Sequence, residues 1–238
     1  MSRRRWIADE VHADRALLLG QNAQHLVRVL RAQVGQEFDI AAGGQVRLGK
    51  IVSISDNRVE FELGEAVPGG PVLDLTLLIS VFKFDRMEWA IEKATELGVA
   101  KIVPIVARRT DAHLAKAAEK RAERWRRIAK EAAQQSRRLD APEIGDPKKL
   151  TEIIPNISGA RILLAETEQD KTLKSQLLNA SQPVTLAFGP EGGWTEDEIR
   201  QFEAAGWATA TLGSTILRAE TAIIAAVAIT VSELTSST

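Results

Sequence analysis

Apolar and polar residues alternate in short stretches through the first third of the chain. Residues 37–40, 45–54 and 58–63 each follow a period of two, which predicts strands with one buried face. Gly43-Gly44 and Asp56-Asn57 lie between them as turn signals. Ahead of these, residues 22–30 place Leu26, Val27 and Leu30 on one side of a small amphipathic helix. Closely spaced short strands predict a small β-barrel. Pro68-Gly69-Gly70-Pro71 then interrupts any regular element, so the expected domains are 1–72 and 73–238.

After residue 73 the pattern changes. Residues 73–82 are almost continuously apolar, as expected for a strand buried on both faces. A helix is predicted over 85–97, with Asp85 as N-cap, Glu88 completing a capping box and Gly98 at the C-terminal end. Residues 102–106 read as a strand, and a long charged helix is expected over about 115–138. Further strands are predicted at 161–165, 184–188 and 208–212, with helices at about 195–205 and 219–234. Such alternation predicts an α/β domain built on a parallel sheet.

Two glycine-bearing turns sit in this second domain. Gly189-Pro190-Glu191-Gly192-Gly193-Trp194-Thr195 follows one strand, and Leu212-Gly213-Ser214-Thr215-Ile216-Leu217-Arg218 follows another. Each opens onto a helix, the first with Thr195 and Glu198 in capping-box spacing. Ligands of open α/β sheets bind outside the carboxyl ends of strands. The turns therefore predict a pocket made largely of main chain at the ends of two neighbouring strands, with Arg218 at its edge. The bland alternative is a pair of ordinary loops with glycine for geometry. Glu191 reads either as a ligand contact or as a solvated carboxylate, and Trp194 as packing within its own domain. Arg218 has two readings: a structural pair with Glu220 at the helix start, or a cation facing an anionic substrate. Ala222, Ala225, Ala226 and Ala228 allow close helix packing, inside the chain or between two copies.

Composition narrows the chemistry. The chain has 238 residues and no cysteine, which removes disulfides, thiolate nucleophiles and cysteine-based zinc sites and fits a cytoplasmic protein. His12, His25 and His113 are far apart, so no metal is expected. Neither GxxxxGK[ST], GxGxxG after a strand, nor GxSxG occurs. The first α/β turn, Lys83-Phe84-Asp85-Arg86, is no glycine-rich nucleotide loop. The longest apolar run, 222–231, is too short to span a bilayer, and no membrane partner is expected. Asp9, Glu10 and His12 interrupt what would be the core of a secretory leader. The net charge of −1 hides an asymmetry: residues 74–138 carry fifteen basic and nine acidic side chains, residues 139–238 seven and fourteen. The stretch 116–138 holds nine basic and three acidic residues, either a solvated face with pairs such as Glu123–Arg127 or a phosphate-contacting surface. With Arg3-Arg4-Arg5 and the Arg28/Arg31 pair, it raises the RNA-binding reading.

Several of these segments together resemble the RsmE family, the 16S rRNA uridine-N3 methyltransferases of the SPOUT superfamily. Arg5-Trp6-Ile7 is similar to the family's opening, and residues 25–31 with Gly35 to its β domain. Asp85-Arg86-Met87-Glu88 and residues 92–99 resemble its first catalytic-domain helix; Gln135-Ser136 with Arg138 and Pro142 resembles its central motif. The two glycine turns resemble its cofactor motifs. The resemblance implies a PUA-like barrel followed by a SPOUT domain with a deep trefoil knot, a homodimer, S-adenosylmethionine as cofactor, and 16S rRNA or the 30S subunit as partner. It assigns cofactor contacts to Leu164, Ala165, Glu166, Gly189, Pro190, Glu191, Gly192, Gly193, Leu212, Gly213, Ile216 and Leu217. Arg218 and Glu220 are the implied catalytic pair, Glu96 a further carboxylate considered as proton acceptor, and Arg5, Arg28, Arg31, Arg137 and Arg138 the implied RNA contacts. Phe84 and Arg137 stand where the family usually has glycine, Gln134 where it has glutamate and Ser214 where it has proline. Two rival readings share these residues: a SPOUT enzyme acting on another atom, such as a ribose 2′-hydroxyl, and a catalytically silent RNA-binding assembly protein.

Overall fold

The computed structural model describes residues 5–42, 45–67, 73–136, 138–178 and 180–235. The Gly43-Gly44 turn, the 68–71 breaker and Arg137 lie outside the described residues. The chain divides into two compact units, Met1–Pro71 with Lys130–Ala141, and Val72–Ala129 with Pro142–Thr238.

The first unit contains β1 (Arg5–Ile7), β2 (Glu10–His12), β3 (Arg15–Leu19), α1 (Gly20–Gln24), β4 (Glu37–Ala42), β5 (Gln45–Ser55) and β6 (Arg58–Val67). The strands pair in the order β1-β4-β5-β6-β3-β2, antiparallel except for the parallel β1–β4 pair. Alternation sends Ile40, Ile51, Val59 and Phe61 inward, where they meet Trp6, Leu18 and Leu26 in one core. The predicted helix over 22–30 forms, but its second half, His25–Val29, is a π-helical turn closed by Leu30 N–H donating to the His25 carbonyl. The wider winding breaks the 3.6-residue register. Of the expected apolar face only Leu26 is fully buried, and Leu30 stays exposed. Within this unit Ala133 packs on Ile7, Ala41 and Val46. Lys130 pairs with Asp9, whose second oxygen accepts from Leu19 N–H at 2.8 Å.

The second unit contains β7 (Leu75–Ser80), α2 (Phe84–Glu96), β8 (Lys101–Val106), α3 (Ala112–Gln135) as far as Ala129, β9 (Glu143–Ile144), β10 (Lys148–Lys149), α4 (Leu150–Ile153) and β11 (Ala160–Leu164). It continues with α5 (Leu173–Leu177), β12 (Val184–Phe188), α6 (Glu196–Ala204), β13 (Ala208–Ala210) and α7 (Ala219–Thr235). The sheet runs β10-β8-β7-β12-β11-β13, with β9 also on β8, and its pairings are parallel. Both faces are covered, which explains the unbroken apolar run at β7. Leu75, Leu77 and Ile79 enter a core with Met87, Ile91, Trp125 and Val227, while Leu78 enters a second core with Leu163, Ala187, Phe202 and Trp207.

Element ends differ from expectation for local reasons. Asp85 does not cap α2; Lys83 occupies that position without a side-chain bond, and Asp85 lies in the first turn. Glu88 is drawn instead to α3, accepting from Arg124 Nε at 2.7 Å and from its second terminal nitrogen at 2.8 Å. Bidentate charge-assisted bonds of this kind outweigh a capping bond. Gly98 follows the C-cap residue Leu97, and Val99 N–H closes the helix end on the Ala94 carbonyl. Helix α3 begins early because Asp111 accepts from His113 and Leu114 N–H. The capping box at Thr195 and Glu198 is formed as expected. Phe84 packs against Trp125 with ring centroids 6.1 Å apart and carries Arg121 over its face at 4.8 Å.

Gly49 marks the tightest approach in the first unit: a Cβ there would lie 2.2 Å from Ile40 Cγ1. Gly49→Ala is therefore expected to destabilise this unit by roughly 1–3 kcal/mol through overpacking. A urea melt followed through the unit's Trp6 fluorescence in a variant lacking the other tryptophans tests this; an unchanged midpoint refutes it.

Candidate active site

A cavity of about 370 Å³ opens at the carboxyl ends of β11, β12 and β13. The last residue of each strand, Leu164, Phe188 and Ala210, forms part of its wall. Both glycine turns also line it, yet their strands are not neighbours. Strand β11 pairs with β12 on one side and β13 on the other, so three strand ends enclose the space. The expectation of two adjacent strands is corrected here: the connection through α6 passes over β11 before returning to the sheet.

The first turn is closed by Gly193 N–H donating to the Pro190 carbonyl at 2.8 Å. Gly193 has φ +68°, and a Cβ on it would lie 2.3 Å from Glu166 Oε1. Both constraints call for glycine. Trp194 is buried, donates from Nε1 to the Leu164 carbonyl at 3.0 Å and meets Phe202 edge-on at 5.0 Å. It packs within its own unit, as its sequence context predicts.

The second turn is open to solvent at Ser214, Thr215 and Ile216, the last 85% exposed. Thr211 Oγ1 steadies its start by accepting from Gly213 N–H at 3.2 Å. Arg218 is exposed at the cavity rim and has no ion-pair partner among the described residues. Glu220 turns to Arg86 of α2, with Glu220 Oε1 3.7 Å from Arg86 Nε. Arg86 also donates to Glu191 Oε1 at 3.1 Å and forms part of the cavity wall. One buried oxygen of Glu220, Oε2, has no partner among the described residues.

Glu168 braces the loop after β11. Its Oε2 accepts from Thr209 Oγ1 at 2.6 Å, and its Oε1 accepts from the N–H groups of Gln169, Asp170 and Lys171. The Thr209 hydroxyl, followed by the Asp170 and Lys171 amides, lowers its carboxyl from 4.5 to about 2.

The family described as an RNA methyltransferase domain matches residues 69–231, and the RNA methyltransferase PUA domain matches residues 18–64. The protein named ribosomal RNA small subunit methyltransferase E in Synechocystis is 33% identical, over 86% of this chain and 68% of its own length. Its namesake in Aquifex aeolicus is 31% identical, over 90% and 93%. The chain belongs to the ribosomal RNA small subunit methyltransferase E family. A solved structure of such an E-type enzyme from Neisseria gonorrhoeae, bound to S-adenosyl methionine, matches with a TM-score of 0.83 at 28% identity, covering 95% of each chain. A probable rRNA methyltransferase from Porphyromonas gingivalis matches with a TM-score of 0.83 at 26% identity, covering 99% of this chain and 100% of its own.

Among the residues that the E-family resemblance assigns to cofactor, Leu164, Ala165, Glu166, Gly189, Pro190, Glu191, Gly193, Leu212, Gly213, Ile216 and Leu217 line the cavity. Gly192 lies outside the wall, its carbonyl turned to Arg109 at 2.7 Å. Ser214 and Thr215, within the expected second turn, also line the cavity, as does Trp194, expected only to pack within its domain; Arg86, Phe188, Ala210 and Thr211 are wall residues that sequence alone did not indicate. Arg86 stands in a turn set aside for lacking glycine, although its place just beyond β7 was a usable cue. Glu220 is absent from the wall, and Glu96 pairs with Lys93 at the end of α2.

The arginines assigned to RNA differ in setting. Arg28 and Arg31 are exposed. The Arg5 side chain is mostly buried, 4.0 Å from Asp39. Arg138 is partly buried; burial lowers its guanidinium, opposed by nearby Asp140. On α3, Arg121 and Arg124 engage Glu88, and Arg126 engages Glu123 and Asp146. Glu123 thus has Arg126 as a partner one residue before the expected Arg127. Among the described residues no group of three or more His, Cys, Asp or Glu side chains could hold a metal ion, and no helix is long and apolar enough to cross a membrane.

Two outcomes follow from these constraints. The carboxyl of Glu168 is lowered on folding, so its stabilising contribution is complete above its ordinary value of 4.5 and is lost as pH falls toward about 2. The Tm gap between wild type and Glu168→Gln should be present at neutral pH and close over that acid window; a gap independent of pH refutes it. Gly193→Val should narrow the cavity by forcing a side chain toward Glu166, weakening S-adenosylmethionine binding in calorimetry while leaving the fold's circular dichroism intact.

Proposed function

We propose that this chain transfers a methyl group from S-adenosylmethionine to N3 of a uridine in 16S rRNA. The observation that carries this reading is a cavity walled by two glycine-bearing turns at three parallel strand ends, with Arg218 at its rim and without an ion-pair partner among the described residues, in a chain of the E-type rRNA methyltransferase family. The cavity suits the cofactor in size and charge. Its volume of about 370 Å³ lies in the range of small-molecule sites, and Glu166 and Glu191 offer negative charge toward a sulfonium and an ammonium group. Bound there, S-adenosylmethionine supplies an activated methyl, so no covalent enzyme intermediate is needed.

The chain's residues supply position and electrostatics. Turn backbone around Gly189, Gly193, Leu212 and Leu217 holds the cofactor, with the end of β11 as a third wall. Arg218 faces the uracil and stabilises the negative charge left when N3 loses its proton. Glu220 contributes by holding Arg86 beside the cavity, while Arg86 holds Glu191. Residues 1–72 serve as the PUA-like RNA-binding domain and 73–238 as the SPOUT catalytic domain with its trefoil knot. Two copies form a dimer in the cytoplasm, where Arg5, Arg28, Arg31, Arg137 and Arg138 contact the 16S rRNA of a 30S subunit. The small residues of α7 support close packing with a second copy, since Ala225 and Ala228 are not fully buried.

The test is incubation of unmodified 30S subunits with labelled S-adenosylmethionine, followed by nucleoside analysis. Label in 3-methyluridine is the expected result; label on ribose, or none, refutes the assignment. Arg218→Ala should lower turnover by about a hundredfold or more, as for loss of an oxyanion-stabilising group, with cofactor affinity retained. Normal turnover in that variant removes Arg218 from the chemistry.

A further inference from the structure

Arg109 lies outside the cavity, in the loop between β8 and α3. One terminal nitrogen of its guanidinium donates to the Gly192 carbonyl at 2.7 Å and to the Trp194 carbonyl at 3.2 Å. These two carbonyls flank Gly193, which does line the cavity. The same loop is fastened a second time. Arg108 N–H donates to Oε1 of the buried Glu198 at 2.8 Å, and the other oxygen of Glu198 accepts from Thr195 N–H at 2.9 Å. The Arg108 guanidinium also pairs with Asp197 at 2.8 Å. Strands β8 and β12 are not neighbours, because β7 runs between them. The loops that follow them therefore join across the carboxyl end of β7.

We infer that Arg109 is a positioning residue for the cavity-lining turn at Gly192-Gly193. Two successive glycines leave this turn with more backbone freedom than any other dipeptide, and ordering it is correspondingly costly. A delocalised cation that gathers the carbonyls on both sides of Gly193 limits that freedom through charge-assisted bonds. It draws both oxygens away from the cavity and leaves the bare Cα of Gly193 on the inner side. Arg86 grips Glu191 in the same turn through its side chain, so the turn is held at two points. Arg109 is not itself part of the cavity wall and acts through the backbone that it orients.

The inference rests on the methyltransferase reading for the identity of the ligand, and the experiment separates the two. Calorimetric affinity for S-adenosylmethionine, the KM for 30S subunits and amide hydrogen exchange over residues 190–195 are measured in wild type, Arg109→Lys and Arg109→Ala. Arg109→Ala should weaken cofactor affinity about tenfold or more, leave the KM for 30S subunits unchanged and speed exchange across the turn. Arg109→Lys should recover part of the affinity, because an ammonium group still donates to a carbonyl. Cofactor affinity and exchange both at wild-type values in folded Arg109→Ala overturn the inference. If Arg109→Ala does not fold, wild-type affinity and exchange in Arg109→Lys overturn it. If wild type itself binds no S-adenosylmethionine, the functional reading fails, and the exchange rates alone decide whether Arg109 holds the turn.

Discussion

The indole N–H of Trp194 resting on the Leu164 carbonyl is the bond around which the cavity is organised. Leu164 ends β11, where its carbonyl meets the irregular chain beyond the strand. Left bare beside a buried surface, it would carry a desolvation cost. Trp194 satisfies it from the turn after β12, so the bond ties the ends of two adjacent strands together. The ring then fills space beneath the turn: a Cβ on Gly189 would come within 3.2 Å of Nε1. Phe202 and Trp207 continue the contact into the core, edge to face at 5.0 Å and 4.9 Å. The cavity is thus anchored in a buried aromatic cluster.

Around that anchor, long-range charge contacts join the loops. Arg86 and Arg109 reach the first turn from segments about a hundred residues earlier, and Glu198 binds the loop after β8 while capping α6. Each is partly exposed or bonds to backbone, so its value lies in geometry more than in net stability. The loop after β11 is fixed differently, by a carboxylate collecting amide protons from its own chain.

Much of this was legible from sequence. Period-two alternation located β4, β5 and β6, and the unbroken apolar runs located β7 and β12, because burial on one or both faces leaves a direct trace in composition. The glycine turns pointed to the cavity for a similar local reason. What remained hidden was tertiary. No local pattern states that β11 lies between β12 and β13, since strand order depends on where connecting helices pack. Asp85 and Glu88 had the spacing of a cap, but two arginines on α3 claimed Glu88. The π-helical turn after α1 escaped notice because its residues are ordinary helix formers. Arg86 and Arg109 were overlooked because their partners are backbone and carboxylates distant in the chain.

A binding wall built on two glycine-bearing turns has an evolutionary corollary. Thr215 and Ile216 belong to the wall yet are exposed, and Ile216 is almost wholly in solvent. Drift at such positions alters the outer surface while the inner one keeps its shape. Within the turns, vulnerability is greatest where no atom beyond Cα fits, Gly193 above all. The pocket is thereby insulated from most mutation, and the surrounding surface is left free to diverge toward new nucleic-acid targets without losing the donor it carries.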